Sequence, residues 1–364
     1  MDVSEHKESD LKPNHNHTHR QMFAQLPFET VDHIVGYLDF KDVRTIARVC
    51  SAFRLPAQLR LFRAIRTVSD TDQLYHDRIK SILSTPHLLQ CVSHLEVQCY
   101  DSEQQTSLHS LLPRLPMMSR LRSIDIRLYL AFDDCSRTLS ALESLGSEKE
   151  ITLSFECVLH PNLDIPDNPL PVHSLDLYVD APNHQVATEL VQKCSQSLHK
   201  LFLNLKDGTT LPFPFLPHLC ELSIHSTGND IDLMSWLPFL YQHPTITRIS
   251  LSGFTLAVQP SPNLLPNLQF LEAAPQIIGQ LIPGRPVNHI RATYNHQPTD
   301  CFLDDIMLRP LRQPFVSVTT LAILTYVYFP DDVLINIHQA LPKLRKIIFR
   351  WACYEVRQLS QGRR

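Results

Sequence analysis

From Val92 onward the apolar residues fall into one recurring string, apolar-x-x-apolar-x-apolar. Copies stand at Val92/Leu95/Val97, Leu121/Ile124/Ile126, Val172/Leu175/Leu177, Leu198/Leu201/Leu203 and Leu219/Leu222/Ile224. They continue at Ile246/Ile249/Leu251, Leu268/Leu271/Ala273, Val287/Ile290/Ala292, Val318/Leu321/Ile323 and Leu344/Ile347/Phe349, and a weaker copy, Ile151 and Leu153, fills the gap in the series. The last two apolar positions of each copy lie two apart, which puts them on one face of a strand. Ahead of the repeats the period changes. Val31, Ile34, Val35 and Leu38, then Val43, Ile46, Ala47 and Cys50, each follow i, i+3, i+4, i+7, so two short helices are predicted. Pro27 suits the first turn of the first helix, and Glu29 lies near its positive end. Asp39 can cap the second helix, with Asp42 in its first turn. A third helical stretch, Val68 to Leu89, carries Tyr75, Ile79, Ile82 and Leu83 on one side; Ser69 or Asp70 can cap it, and Thr85-Pro86 should end it.

The strand copies recur at about 25 residues, with a spread of about 19 to 31. Between them the clearest helical stretches are Ser107 to Leu112, Asp134 to Leu145, Asn183 to Cys194, Asp230 to Tyr241 and Asp331 to Leu341, several opening on Asp or Asn as an N-cap should. Gly208 to His218 and Ala257 to Asn267 are proline-rich and read as extended. This alternation is similar to leucine-rich repeats. It implies an α/β chain with an irregular strand–helix solenoid and a curved parallel sheet. An ordinary doubly wound domain wants glycine at its strand–helix turns, and the chain has only 8 glycines against 27 prolines. The repeats depart from the regular family in one respect. Where Asn or Cys often follows the strand, this chain has Tyr100, Tyr129, Asp180, Lys206, Thr227 and Phe254.

The helical hairpin is more specific. Its string L-P-x-E-x-V-x-x-I-x-x-Y-L-x-x-x-D-V-x-x-x-x-x-V-C-x-x-F, from Leu26 to Phe53, resembles the F-box motif. Leu59, Leu61, Phe62 and Ile65 extend the likeness, as the end of a three-helix module. The resemblance implies docking on the Skp-type adaptor of cullin-based ubiquitin ligases. The residues it carries over as adaptor-facing are Leu26, Pro27, Val31, Ile34, Leu38 and Val43; Thr30 departs from the aliphatic residue often found there. Physical size points the same way. About forty residues bury little core, and apolar surface left over on them needs a partner. The expected layout is a disordered tail over 1–22, the F-box over 23–66, a helical linker over 67–90, the solenoid over 91–354 and a tail over 355–364.

Composition narrows the partners. The apolar share of 43% and charged share of 19% are those of a folded chain. A net charge of −4 lacks the electrostatic footprint nucleic acid demands. No run is long enough to span a membrane, and no N-terminal apolar leader is evident. Nine cysteines are scattered with no C-x-x-C pair, which fits a reducing compartment, cytoplasm or nucleus. His15, His17 and His19 could bind metal but read more simply as part of a solvated tail, and the sequon at Asn16 as chance. Nucleophile elbow, Walker loop, H-E-x-x-H, EF-hand loop and paired zinc ligands are all missing from the sequence, so no enzyme, cofactor or metal is expected.

A binding surface can be placed instead. Residues flanking the inward pair of a strand point the other way. Along that face acids come early, Glu96, Asp125 and Asp176, and bases late, Arg248, Arg291, Lys346 and Arg350, with Tyr178 and Phe202 between. Aromatics and arginine are the usual anchors of protein interfaces. The face is expected to hold a polypeptide whose more acidic part meets the basic end. The chain is thus expected to be the substrate-recognition subunit of a Skp–cullin–F-box ligase with an unnamed target, or else a scaffold using the same two surfaces without ubiquitin transfer.

Overall fold

The computed structural model of the chain describes residues 26–49, 51–66, 79, 81–100, 102–129, 135–206, 211–228, 230–257, 259–293, 317–325, 337 and 341–351. The tails, most of the helix expected after Val68 and most of Asp331 to Leu341 lie outside them, as does Cys50. The described residues group into two compact units, Met1–Glu96 with Arg114–Arg122, and Val97–Pro113 with Ser123–Arg364.

The first unit opens with α1 (Phe28–Tyr37), α2 (Phe40–Val49) and α3 (Ser51–Leu61), followed by the short strand β1 (Ala64–Arg66). Local chemistry sets the helix ends. The Pro27 carbonyl accepts from Thr30 and Val31 N–H, and the Asp39 carboxylate accepts from Asp42 N–H at 2.8 Å, the expected cap. Pro56 lies inside α3, where it forgoes one backbone bond. Arg60 donates to the Leu38 carbonyl at 3.3 Å and ties α3 to the end of α1. After the short α4 (Pro86–Leu89), β1 pairs in parallel with the start of β2 (His94–Cys99), with Ile65 opposite Leu95. β1 was not among the predicted strands; Ile65 closes the helical module and begins the sheet at once.

The second unit continues with α5 (Ser102–Leu111), β3 (Ser123–Leu128), α6 (Cys135–Glu143), β4 (Glu150–Val158) and β5 (Ser174–Val179). Then follow α7 (His184–Cys194), β6 (Lys200–Leu205), β7 (Glu221–Ser226), β8 (Ile231–Asp232), α8 (Leu237–Gln242), β9 (Arg248–Ser252) and β10 (Phe254–Thr255). The last elements are β11 (Phe270–Ala273), α9 (Pro275–Leu281), β12 (His289–Ala292), β13 (Thr320–Thr325) and β14 (Lys346–Trp351). Twelve strands form one sheet in the order β1-β2-β3-β4-β5-β6-β7-β9-β11-β12-β13-β14, and β8 pairs with β10 apart from it. Strand order equals chain order, as a solenoid requires and a doubly wound sheet does not. Every predicted copy of the apolar string is one strand of this sheet, the weak copy at Ile151 included.

Register is fixed by burial. Leu175, Leu201, Leu222, Ile249, Leu271, Ile290, Leu321 and Ile347 stand opposite one another from strand to strand. The inward pairs from β2 to β13 are no more than 2% exposed. A slip of one residue would turn every one of these outward. Main-chain bonds run alongside. The carbonyl just before one strand accepts two N–H groups from the next repeat: His173 from His199 and Lys200, His199 from Cys220 and Glu221, Cys220 from Thr247 and Arg248, Thr247 from Gln269 and Phe270. Past the strands, where the regular family uses an Asn ladder, backbone donors do the work: Tyr129 N–H to Cys99, Lys206 to Val179, Thr227 to Leu205. The Tyr100 and Tyr129 rings also stack, 4.2 Å between centroids.

The connections match expectation in part. α7 follows a capping box made by Asp180 and Asn183, and Asp232 caps the turn before α8. α5 starts five residues earlier than the periodicity placed it. α9 was not among the helices singled out; Pro275 at its first position sets it. At Gly253 φ is +74°, and a Cβ there would meet the Ser226 carbonyl at 2.8 Å, so the turn from β9 to β10 needs glycine. The connection 211–218 has no helix, and buried His243 holds it instead. Leu216 N–H donates to His243 Nε2 at 2.9 Å, so the proton is on Nδ1, which donates to the Phe239 carbonyl at 2.6 Å. The loop near Ser261 is held by buried Arg285, which donates to the carbonyls of Leu264 at 2.6 Å, Ser261 at 2.7 Å, Pro283 at 3.1 Å and Leu281.

Burial lowers the proton affinity of His243 from its ordinary 6.5, and His173, His225 and His289 move the same way. Just below pH 6.5 the unfolded imidazole therefore holds a proton the folded one lacks, and stability rises with pH. Urea unfolding should show stability complete above about pH 6.5 and falling as pH drops below it, with a shallower slope in His243→Gln. Arg285→Met leaves the carbonyls it serves without donors and should cost about 3 kcal/mol in the same assay.

Candidate protein-interaction surfaces

The sheet of the second unit presents, on its side away from the core, rows of residues set by register. One row reads Lys200, Glu221, Arg248, Phe270, His289, Thr320, Lys346; the next reads Asp176, Phe202, Ser223, Ser250, Glu272, Arg291, Ala322. Charges pair across strands. Arg248 Nε meets Glu221 at 3.4 Å, and Arg291 Nη1 meets Glu272 at 3.2 Å. The Arg248 guanidinium also lies over the Phe270 ring at 4.4 Å, and that ring is 4.9 Å from His289. Asp125 pairs with Arg127 at 3.1 Å, and Asp176 accepts from Asn204 at 3.3 Å. Burial holds His225 and His289 below their ordinary value, so both imidazoles are neutral at pH 7.

This pairing corrects the expected gradient of charge. Arg248 and Arg291 stand late in the series, but Glu221 and Glu272 lie beside them. Each glutamate sits one strand away and precedes its arginine in sequence, and a list of signs along the chain gives them no weight. Tyr178 and Phe202 are half-buried on this face, and Lys346 is exposed. Arg350 is in β14; its side chain lies outside the described residues.

In the first unit, Val31, Val35, Val43, Phe53 and Ala57 form a core, with Leu26, Ile34, Leu38, Ile46, Ala47 and Leu61 packed against it. Large apolar side chains remain outside it: Phe28, Phe40 and Leu55 are about half exposed, and Tyr37 is 80% exposed. The Tyr37 ring is held edge-on to His33 at 4.9 Å.

Residues 23–55 match the F-box domain family. This stretch is an F-box domain. F-box domains bind Skp-type adaptors, and neither they nor leucine-rich repeats are enzyme folds in themselves. No curated protein matches the chain. Among solved structures, the leucine-rich repeat-containing protein LegL7 from Legionella pneumophila is similar, at 14% identity over 79% of this chain and 90% of that one, with a TM-score of 0.43. A chain of the Rad7 and Elc1 complex in yeast is similar at 16% identity over 96% and 94%, with a TM-score of 0.44. The fold assignment rests on the strand order and register above.

The F-box domain thus divides the six residues carried over by resemblance. Val31 and Val43 are inside its own core, since both sit where α1, α2 and α3 converge. Leu26, Ile34 and Leu38 are half-buried at its margin, and Pro27 is exposed. Phe28, Tyr37, Phe40 and Leu55 were missed. Tyr37 lies off the stripe of α1, Phe28 and Phe40 stand one turn ahead of the first residue of theirs, and no stripe was read over α3; a large apolar residue outside the four stripe positions of a small helix was the available signal. Phe53→Ala should cost about 3–5 kcal/mol in thermal unfolding, whereas Tyr37→Ala should stay within about 0.5 kcal/mol.

Proposed function

We propose that the chain is the substrate-recognition subunit of a Skp–cullin–F-box ubiquitin ligase. The F-box domain docks the Skp-type adaptor and through it the cullin, and the open sheet face holds a target protein. The observation that carries this reading is an F-box domain with large apolar side chains left over after its own core is filled. In water such surface is costly, and a partner that covers it gains about 25 cal/mol for each Å². The chain's contribution is proximity: a target held on the sheet has a raised effective concentration near the charged conjugating enzyme. No bond is made or broken by its own residues. We place it in a reducing compartment, cytoplasm or nucleus, in keeping with the buried free cysteines Cys91 and Cys194.

The test is affinity capture from cells with the wild-type chain and with Leu26→Ala/Pro27→Ala and Tyr37→Asp/Leu55→Asp. Wild type should bring down adaptor and cullin. The double variants, folded by circular dichroism, should lose both by at least about tenfold. Adaptor without cullin, and no target stabilised on deletion of the chain, would leave a scaffold in place of a ligase subunit.

A further inference from the structure

The open face of the second unit carries a recess whose origin lies in the register. Ser223 and Ser250 are neighbours in a row, flanked by the larger Phe202 on one side and by Glu272 and Arg291 on the other. Two small side chains in the middle of such a row leave a hollow of about 580 Å³, bounded by Phe202 on one side and by Arg248, Phe270, Glu272 and Arg291 on the other. His225 closes it, fixed by a 2.9 Å contact between its Nε2 and the Ser223 hydroxyl.

The charges of this recess are layered. In both ion pairs the acid is the more covered partner, with side-chain exposure of 24% for Glu221 against 50% for Arg248, and 16% for Glu272 against 30% for Arg291. The carboxylates lie below and orient the guanidiniums, which remain the accessible members. Some of its donors are also unspent. Arg248 spends Nε on Glu221 and its flat face on Phe270, and its two terminal nitrogens make no hydrogen bond among the described residues. Arg291 Nε is buried without an acceptor, and the Ser250 hydroxyl has no partner among the described residues. A cationic guest would meet guanidiniums before glutamates. An anionic guest meets a positioned fork, the geometry that suits a carboxylate.

Resting on the reading of this face as the target surface, we infer that the recess is an acceptor site for an acidic side chain, Asp or Glu, of a target polypeptide whose apolar neighbour packs on Phe202. A nucleic-acid strand does not fit, because Glu221 and Glu272 repel a continuous run of phosphates.

Fluorescence anisotropy on the full chain tests this with labelled peptides of the form Gly-Ser-Phe-Glu-Glu-Phe-Ser-Gly, the same peptide with Gln for Glu, and the same with Lys for Glu. The acidic peptide should bind at least about tenfold more tightly than the Gln peptide, and weaken as salt is raised from about 50 to about 200 mM. The Lys peptide should be the weakest. Arg248→Gln, at a half-exposed position, and Ser250→Leu, which fills the hollow, should each erase the preference, whereas the remote Lys206→Gln keeps it. Equal binding of acidic and Gln peptides overturns the inference, as does an acidic preference that survives Arg248→Gln. Adaptor capture is read on the same preparation. Capture without an acidic preference sinks the recess and spares the ligase reading. An acidic preference without capture does the reverse.

Discussion

A strand with two leucines on one face has nowhere to put them but against the same two residues of the next strand. Burying one such side chain is worth about 1.5–3 kcal/mol, while ordering each residue of the backbone costs about 1–2 kcal/mol. A single repeat therefore cannot hold itself, and a row of them can. The register from Leu175 through Leu321 shows how strictly the condition is met, with every inward pair flanked on both sides. The last strand shows the condition failing at an edge. Among the described residues Leu344 and Ile347 have a neighbouring strand on one side alone, and both are half-buried.

Stacking alone leaves the connections unsupported. Their backbone groups need partners wherever the chain is buried, and a helix supplies these internally. Where the spacing between strands leaves no helix, a buried polar side chain takes over. His243 serves the proline-rich connection at 211–218, Arg285 the loop near Ser261, and Asn183 reaches from the start of α7 to the Leu159 carbonyl at 3.2 Å. Each is fully or almost fully buried, and each answers a carbonyl or N–H of a neighbouring repeat. A chain with 8 glycines and 27 prolines has few tight turns at its disposal, and these side chains are its substitute.

The sheet was legible because its signal repeats. Each copy of the apolar string is short, but eleven in series leave one arrangement that buries them all. The F-box likeness was legible because its residue types recur at set spacing from Leu26 to Phe53. What escaped was any property decided by a neighbour distant in sequence. Val31 and Val43 carry the same helical period as a contact stripe, but Phe53 and Ala57 of the third helix arrive on that side and enclose them. Phe40, one turn ahead of the stripe of α2, and Leu55 of the third helix are left outside that enclosure and keep about half their surface. β1 was too short to register as a period of two until Leu95 stood beside Ile65.

The charges of the sheet face escaped in the same way, and the consequence is chemical. Signs read along the chain place acids early and bases late, and a face so polarised would draw ligands by long-range attraction. Across the strands, however, Glu221 meets Arg248 and Glu272 meets Arg291, so the field largely cancels at distance. What survives is local. Each guanidinium is held from beneath and, at Arg248, backed by an aromatic ring, so its direction is set before anything binds. Such a surface gains little in the rate of encounter and much in discrimination, because a guest without a matching acceptor leaves desolvated donors unanswered. Selectivity of that kind is what the target-recognition role proposed for this face would require.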